Sequence, residues 1–488
     1  MAELERHDIQ GLVVSSYIHL SCAAYGLLRI ANPAGARQWL GRLVGEITTA
    51  AGRQPGTSIN IAFTHSGLRK LGLDQAALDT FARPFLEGMA TEYRARILGD
   101  RGDSAPPNWN WGNAHQPVDI LLLLFAEDDT MLDTLIDRQR EEFVRDGGVD
   151  QIMLLEAGRQ ADSREHFGFN DGIGQPVIEG SGKKARQLDR THHATELPPG
   201  EFLLGYLNAY GVTADSPFVE PTRDPQGLLP VISPDRHSLH NAAGMHDLGR
   251  NGSYLVFRQM AQHVADFWQF LDAATRKPDG SRDPEACTRL GAKFVGRWPS
   301  GAPLVKWPDR DPDAESHKLN NENDFAYYET DPDGLACPIG SHIRRSNPRD
   351  ALGPDPRTAL ASANRHRLMR RGRSYGDRLA DRFVDDGVER GIHFICLNSD
   401  IERQFEFVQH TWINNQAFGG LYNEVDPLIG NLDRTNGVMT VQADPLRQRV
   451  HNLRRFITVK GGGYFFLPGI KTLHYLARLA SSSPQGAS

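Results

Sequence analysis

A chain of 488 residues exceeds one ordinary hydrophobic core, so two domains or one large composite are expected. Apolar residues make up 39% and charged residues 24%, an ordinary balance for a globular protein with a soluble exterior. The net charge of -7, with no block of Lys and Arg to offset it, disfavours nucleic-acid binding, and no apolar run exceeds the seven residues of Ile120–Ala126, too few to cross a bilayer.

Met1–Gln10 is polar, with no basic segment leading into an apolar one, so a cytoplasmic location is expected. Tyr25–Ile30 reads as a strand and Pro33–Thr49 as a helix with Trp39, Leu40, Leu43 and Ile47 on one face. Ser58–Phe63 alternates at period two, and Gly67–Leu73 turns helical. A Gly-, Pro- and Asn-rich loop from Gly99 to Pro117 leads to a buried-type strand, Ile120–Phe125. A helix near Thr130–Glu142 and a strand Gln151–Leu155 follow. This β-α-β, β-α-β order is that of a ferredoxin-like half.

The same grammar returns later. Gly200–Leu207, Ser253–Phe257, Gly391–Leu397 and Tyr464–Leu467 read as strands. A helix is expected to carry Met260, Val264, Phe267, Trp268 and Leu271 on one stripe. Another opens at the capping-box spacing Ser399–Glu402 and carries Ile401, Phe405, Val408 and Trp412. The fold expected is therefore α+β, two antiparallel sheets with helices on their outer faces. The halves are residues 1–195 and 196–480, with a disordered tail at 481–488. The excursions Thr213–Gly227 and Pro308–Gly334 are either pocket rims or solvated padding. Cys22, Cys287, Cys337 and Cys396 form no CxxC pair and read as reduced thiols.

Four clusters carry chemistry. In Cys337-Pro338-Ile339-Gly340-Ser341-His342-Ile343-Arg344-Arg345-Ser346-Asn347-Pro348-Arg349, two turns fix one imidazole among three guanidinium groups. That suits a metal ligand beside an anion, or an incidental histidine in a basic loop. In Phe167-Gly168-Phe169-Asn170-Asp171-Gly172-Ile173-Gly174, one carboxylate sits among glycines and aromatics, as a proton carrier or as a plain Asp-Gly turn. Arg365–Gly376 is dense in Arg and His, either a basic helix end or an anion site. Gly391–Leu397 puts Ile392, Phe394 and Cys396 on one face and His393 on the other.

Together these clusters resemble the dye-decolourising peroxidase family. Gly168-Phe169-Asn170-Asp171-Gly172 is similar to its GxxDG signature, the His342 segment to its proximal-histidine segment, and Leu368-Met369-Arg370-Arg371-Gly372 to its distal-arginine segment. Three further stretches, 200–206, 252–258 and 463–469, match it too, so the likeness spans most of residues 20–480. The resemblance implies two ferredoxin-like halves enclosing a haem b pocket. It also implies a peroxidase that reduces H₂O₂ to water through a ferryl state while oxidising a bulky or aromatic donor. Haem or porphyrin handling and a haem carrier or sensor are the alternatives.

The resemblance also assigns roles. His342 becomes the fifth iron ligand with Asp400 as its carboxylate partner, although Asp400 is equally placed as a helix first-turn acid. Asp171 becomes the distal acid–base. Arg370 becomes the stabiliser of O–O cleavage, with Arg371 as the neighbouring choice. Gly172, Ile392 and Phe394 line the haem, and Arg344, Arg345 or Arg349 hold its propionates. Trp109, Trp111, Trp298, Trp307, Tyr327 and Tyr328 are either relay sites for electrons or packing residues. Expected partners are H₂O₂ and an organic donor, with neither nucleic acid nor membrane; homo-oligomerisation is left open.

Overall fold

The computed structural model describes residues 3–52, 56–183, 196–234, 242–312, 323–434 and 437–479. The segment joining the expected halves (184–195), part of the 308–334 excursion and the 481–488 tail lie outside these residues.

The main sheet contains strands β1 (Cys22–Ile30), β2 (Thr57–Phe63), β3 (Ile120–Ala126), β4 (Val149–Gly158), β5 (Ser253–Gln262), β6 (Met369–Arg370), β7 (Arg373–Tyr375), β8 (Gly391–Asn398) and β9 (Ile457–Leu467). The first four pair antiparallel in the order β4-β1-β3-β2. In the later group β6 and β7 both lie along β8, which pairs with β5, which pairs with β9. The two groups meet at Gly158 opposite Ser374 and at Phe63 opposite Phe466. The α+β expectation of antiparallel sheets holds, and the two sheets fuse into one closed barrel.

Period-two alternation decides what faces where. Tyr25, Leu27, Leu121, Leu123, Phe125, Phe257, Ile395 and Phe465 fill the barrel. Leu28, Ile61, Leu122, Leu124, Val256 and Cys396 point outward under helices. His393 points inward, stacked on Tyr375 at 4.5 Å between ring centres and edge-on to Tyr25 and Phe257. Burial pushes its pKa down to about 4, so it is a neutral packing residue.

Most expected strands are present, some longer than anticipated. The helix from Pro33 ends at Leu43 and tightens into a 3₁₀ turn through Glu46, short of Thr49; Asn32 caps its start. Three readings are corrected. Gly200–Leu207 is not a strand: Phe202, Leu203 and Leu204 are fully buried, but in turns that follow a 3₁₀ segment, Pro199–Glu201. Apolar content alone cannot tell a buried turn from a buried strand. Met260 belongs to β5, and the helix starts only at Val264. The segment after β8 is π-helical over Glu402–Glu406 and Val408–Ile413, yet its apolar stripe Ile401, Phe405, Val408 and Trp412 is buried as expected. Spacings of four, three and four residues are those of the α period, so the π winding is not legible from them. Cys287, Cys337 and Cys396 are buried free thiols, and Cys22 is partly buried. Among the described residues no helix is long and apolar enough to cross a membrane.

Candidate active site

His342 opens a five-residue helix, His342–Ser346, directly after the Pro338–Gly340 turn. Its Nδ1 lies 2.9 Å from Oδ2 of Asp426, whose carboxylate is fully buried. The other oxygen of Asp426 accepts the N–H groups of Leu428 and Ile429 at 2.9 Å each, which fixes the carboxylate before the histidine reaches it. Burial works against a charged imidazole, but the Asp426 carboxylate outweighs it and raises the His342 pKa; the imidazole and these donors hold Asp426 low against its own burial. With Nδ1 donating to Asp426, Nε2 carries a lone pair. The His342 side chain remains 26% accessible, so its ring is not packed over by protein.

Asp400 is not this partner. Its Oδ1 caps the following helix by accepting the N–H of Arg403 at 3.0 Å, and Oε1 of Gln404 returns to the N–H groups of Ser399 and Asp400. The first-turn role wins because the chain leaves β8 here and needs a cap for its exposed amides.

Asp171 lies on the loop after β4, held at its backbone by the carbonyl of Ser163. Its Oδ1 accepts the N–H of Gly172 at 2.6 Å and sits 3.3 Å from Nη1 of Arg370. Arg370 ends β6, and its own N–H donates to Oε1 of Gln175 in the Asp171 loop. Both charges lie near enough to the His342 ring to influence its pKa, Arg370 lowering it and Asp171 raising it. Gly172 has φ of +83°, and a Cβ there would meet nothing within 4 Å, so this loop also borders open volume. Ile392 and Phe394 stay partly accessible while their inward neighbours are buried, and they stand opposite Met260 and Arg258 on the outer wall of the barrel. Gly372 lets the chain turn between β6 and β7, because a Cβ would come within 2.5 Å of the His393 carbonyl.

The arginines sort by what they touch. Arg371 donates to the carbonyls of Leu12 and Val13 and points away from the cavity, which leaves Arg370 as the distal guanidinium. Arg344 is spent on Asp331 and on the carbonyls of Cys337, Asp331 and Pro332. Arg345 is spent on the carbonyls of Gly340, Trp412, Asn415 and Glu424. Both are buried structural clamps, so the expectation that they hold propionates is corrected. Arg349 donates to the carbonyls of Asn323 and Phe325 and to Oδ1 of Asn323. Arg367, which no motif singled out, donates to the carbonyl of Gly174 at 3.1 Å. Burial, with Arg349 and Arg370 nearby, pulls the Arg367 pKa down to about 9. Guanidinium groups gathered in this way suit an anionic ligand group.

Trp109, Trp111, Trp298 and Tyr327 are buried and read as packing; Trp111 donates to Oε1 of Gln259 and Trp298 to the carbonyl of Trp307. Tyr328 is 38% exposed. The residues fit a haem: one imidazole with a free nitrogen, an acid and a guanidinium paired near it, a partly accessible apolar wall and a group of neighbouring guanidinium groups suited to carboxylates.

Comparison with known proteins agrees. Residues 21–156 match the DyP dimeric alpha+beta barrel domain. A dye-decolorizing peroxidase of Mycena epipterygia is 30% identical over 458 residues, 87% of this chain and 77% of its own. One from Mycetinis scorodonius is 28% identical over 446 residues, with the same shares of 87% and 77%. A solved dye-decolorizing peroxidase in complex with 2,6-dimethoxyphenol is 25% identical, with a TM-score of 0.76 over 97% of this chain and 100% of that one. The chain belongs to the dye-decolorizing peroxidase family, the haem b peroxidases that reduce H₂O₂ at the expense of an organic donor.

Proposed function

We propose that His342 would hold the haem iron through Nε2, with Asp171 and Arg370 working on peroxide beside it. The observation that carries this reading is the ion pair between Asp171 and Arg370, whose charges both reach the His342 ring. Bound haem supplies the iron that takes peroxide and the electrons that cleave its O–O bond. Asp171 takes the proton from the near oxygen of H₂O₂ and returns it to the far one, which leaves as water. Arg370 meets the negative charge that develops on the leaving oxygen with a cation already in place. Asp426 keeps the His342 ring oriented and electron-rich, which favours an oxidised metal. Ile392 and Phe394 keep bulk water off the distal face. Arg367, with Arg349 beside it, holds a propionate in the place the sequence assigned to Arg344 and Arg345.

A bulky aromatic donor is the reductant we assign to this chain, in keeping with the phenol bound by its solved relative. It would deliver its electrons at the cofactor edge or through the protein surface.

Asp171→Asn tests the proton step. The variant should bind haem normally and react with H₂O₂ about a hundredfold to ten-thousandfold more slowly in stopped-flow mixing. Parent rates at every pH would remove the carboxylate from the mechanism. Asp426→Asn should weaken haem retention about ten- to a hundredfold and shift the iron potential upward, whereas Asp400→Asn should move neither. A potential that responds to Asp400 and ignores Asp426 would reverse the assignment.

A further inference from the structure

Glu165 lies six residues before Asp171 and is used by nothing above. Its Oε1 accepts the N–H of Phe169 at 2.9 Å, and its Oε2 accepts the N–H of Phe167 at 2.8 Å. The side-chain amide of Gln262, at the end of β5, donates to Oε2 at 2.7 Å. The backbone closes the same ring: Glu165 N–H donates to the Phe169 carbonyl, and Gly168 N–H to the Glu165 carbonyl. One carboxylate therefore takes three donors, two from the loop that ends in Asp171 and one from the barrel wall. Phe167 and Phe169 complete the anchor by packing on Phe267 and Trp268.

We propose that Glu165 is a positioning residue for Asp171, its carboxylate clamping the loop to β5 and so holding the acid at Arg370. This inference rests on the distal role given to Asp171 above. Three donors converge on the ionised form; adding a proton puts an O–H where an acceptor is needed and loosens the clamp.

The surroundings allow that proton near neutrality. Burial pushes the Glu165 carboxyl up to about 7, against the three hydrogen bonds, and the Asp171 charge adds to the rise. Arg378 also faces Glu165, but it is held by both oxygens of Asp162 at 2.6 and 2.9 Å and donates to the Arg164 carbonyl. His166, next in sequence, turns away to the Tyr375 carbonyl, and burial keeps its pKa low. The sign follows: the clamp is complete above the titration of Glu165 and is released as pH falls through it. The bimolecular rate with H₂O₂ should therefore rise between pH 6 and 8 in the parent enzyme.

The test is stopped-flow reaction of the haem-loaded Glu165→Gln enzyme with H₂O₂ from pH 5 to 9. The amide keeps the size and loses one acceptor, so haem content, absorption spectrum and unfolding midpoint should stay near the parent's. The rate should fall about tenfold at pH 8, the order of one charge-assisted hydrogen bond, and the rise between pH 6 and 8 should vanish. A parent rate and a parent pH profile would overturn the proposal. Gln262→Leu leaves the carboxylate intact with one donor fewer, so it should move the midpoint of that rise to higher pH; an unmoved midpoint would overturn the proposal as well. Asp171→Asn in the same series separates the failures. A slow Asp171→Asn beside a parent-like Glu165→Gln defeats positioning alone, and a fast Asp171→Asn defeats the distal reading on which it rests.

Discussion

His342→Ala is expected to yield a folded chain that no longer retains haem. The helix His342–Ser346 stays anchored without the imidazole, because Arg344 and Arg345 bind seven backbone carbonyls and one carboxylate between them. What disappears is the proposed iron ligand, and with it the hydrogen-bond partner of Asp426, which is left fully buried with two amide donors and the charge of Arg345 nearby. Breaking a buried pair by removing one partner costs about 3–5 kcal/mol, so the apoprotein should also unfold at lower temperature and recover part of that loss at acid pH. The measurements are the Soret absorbance per chain after desalting, and the unfolding midpoint by circular dichroism. Stoichiometric haem with an unchanged spectrum would require another ligand, and the assignment of the site would fall.

Arg370→Leu should do the reverse: keep the haem and lose the chemistry. Among the described residues the guanidinium pairs with Asp171, while its backbone is held independently by Gln175 and β8. Leucine can therefore fill the place without disturbing the fold. Removing one preorganised donor from a developing oxyanion is worth about 3–4 kcal/mol, a factor of roughly a hundred to a thousand. The second-order rate with H₂O₂ should drop by that factor while the resting spectrum stays close to the parent's. An unchanged rate would take Arg370 out of the mechanism. Arg371 offers no substitute, since it is committed to the carbonyls of Leu12 and Val13.

What the sequence disclosed and what it hid follow one physical line. Strands whose residues alternate or run apolar were legible, as were the turns that present Asp171 and His342, because these are local properties. Asp426 was not. It lies 84 residues from His342, in Val425-Asp426-Pro427, and the only signal is an Asp before a Pro, the mark of a turn. The Asp400 error has the same root: a capping pattern is local, a ligand partner is not. Arg344 and Arg345 misled for another reason. Composition counts guanidinium groups, but a planar fork with five donors serves backbone carbonyls as readily as a carboxylate. Arg367 was legible only as one charge among six in a dense stretch, and its use depends on Arg349 arriving beside it from elsewhere. The Ile401–Trp412 stripe showed which side is buried but could not choose between α and π winding.

The seam where Gly158 faces Ser374 has a consequence for how this enzyme can be divided. Gly158 begins the stretch that leads to Asp171, and Ser374 follows Arg370 by four residues, so this backbone pairing joins the Gln175 bond to Arg370 in bringing acid and guanidinium together. A chain cut between Asp171 and Ser253 would place Asp171 on one fragment and both His342 and Arg370 on the other. Turnover in such a split enzyme would therefore report reassembly of the ring.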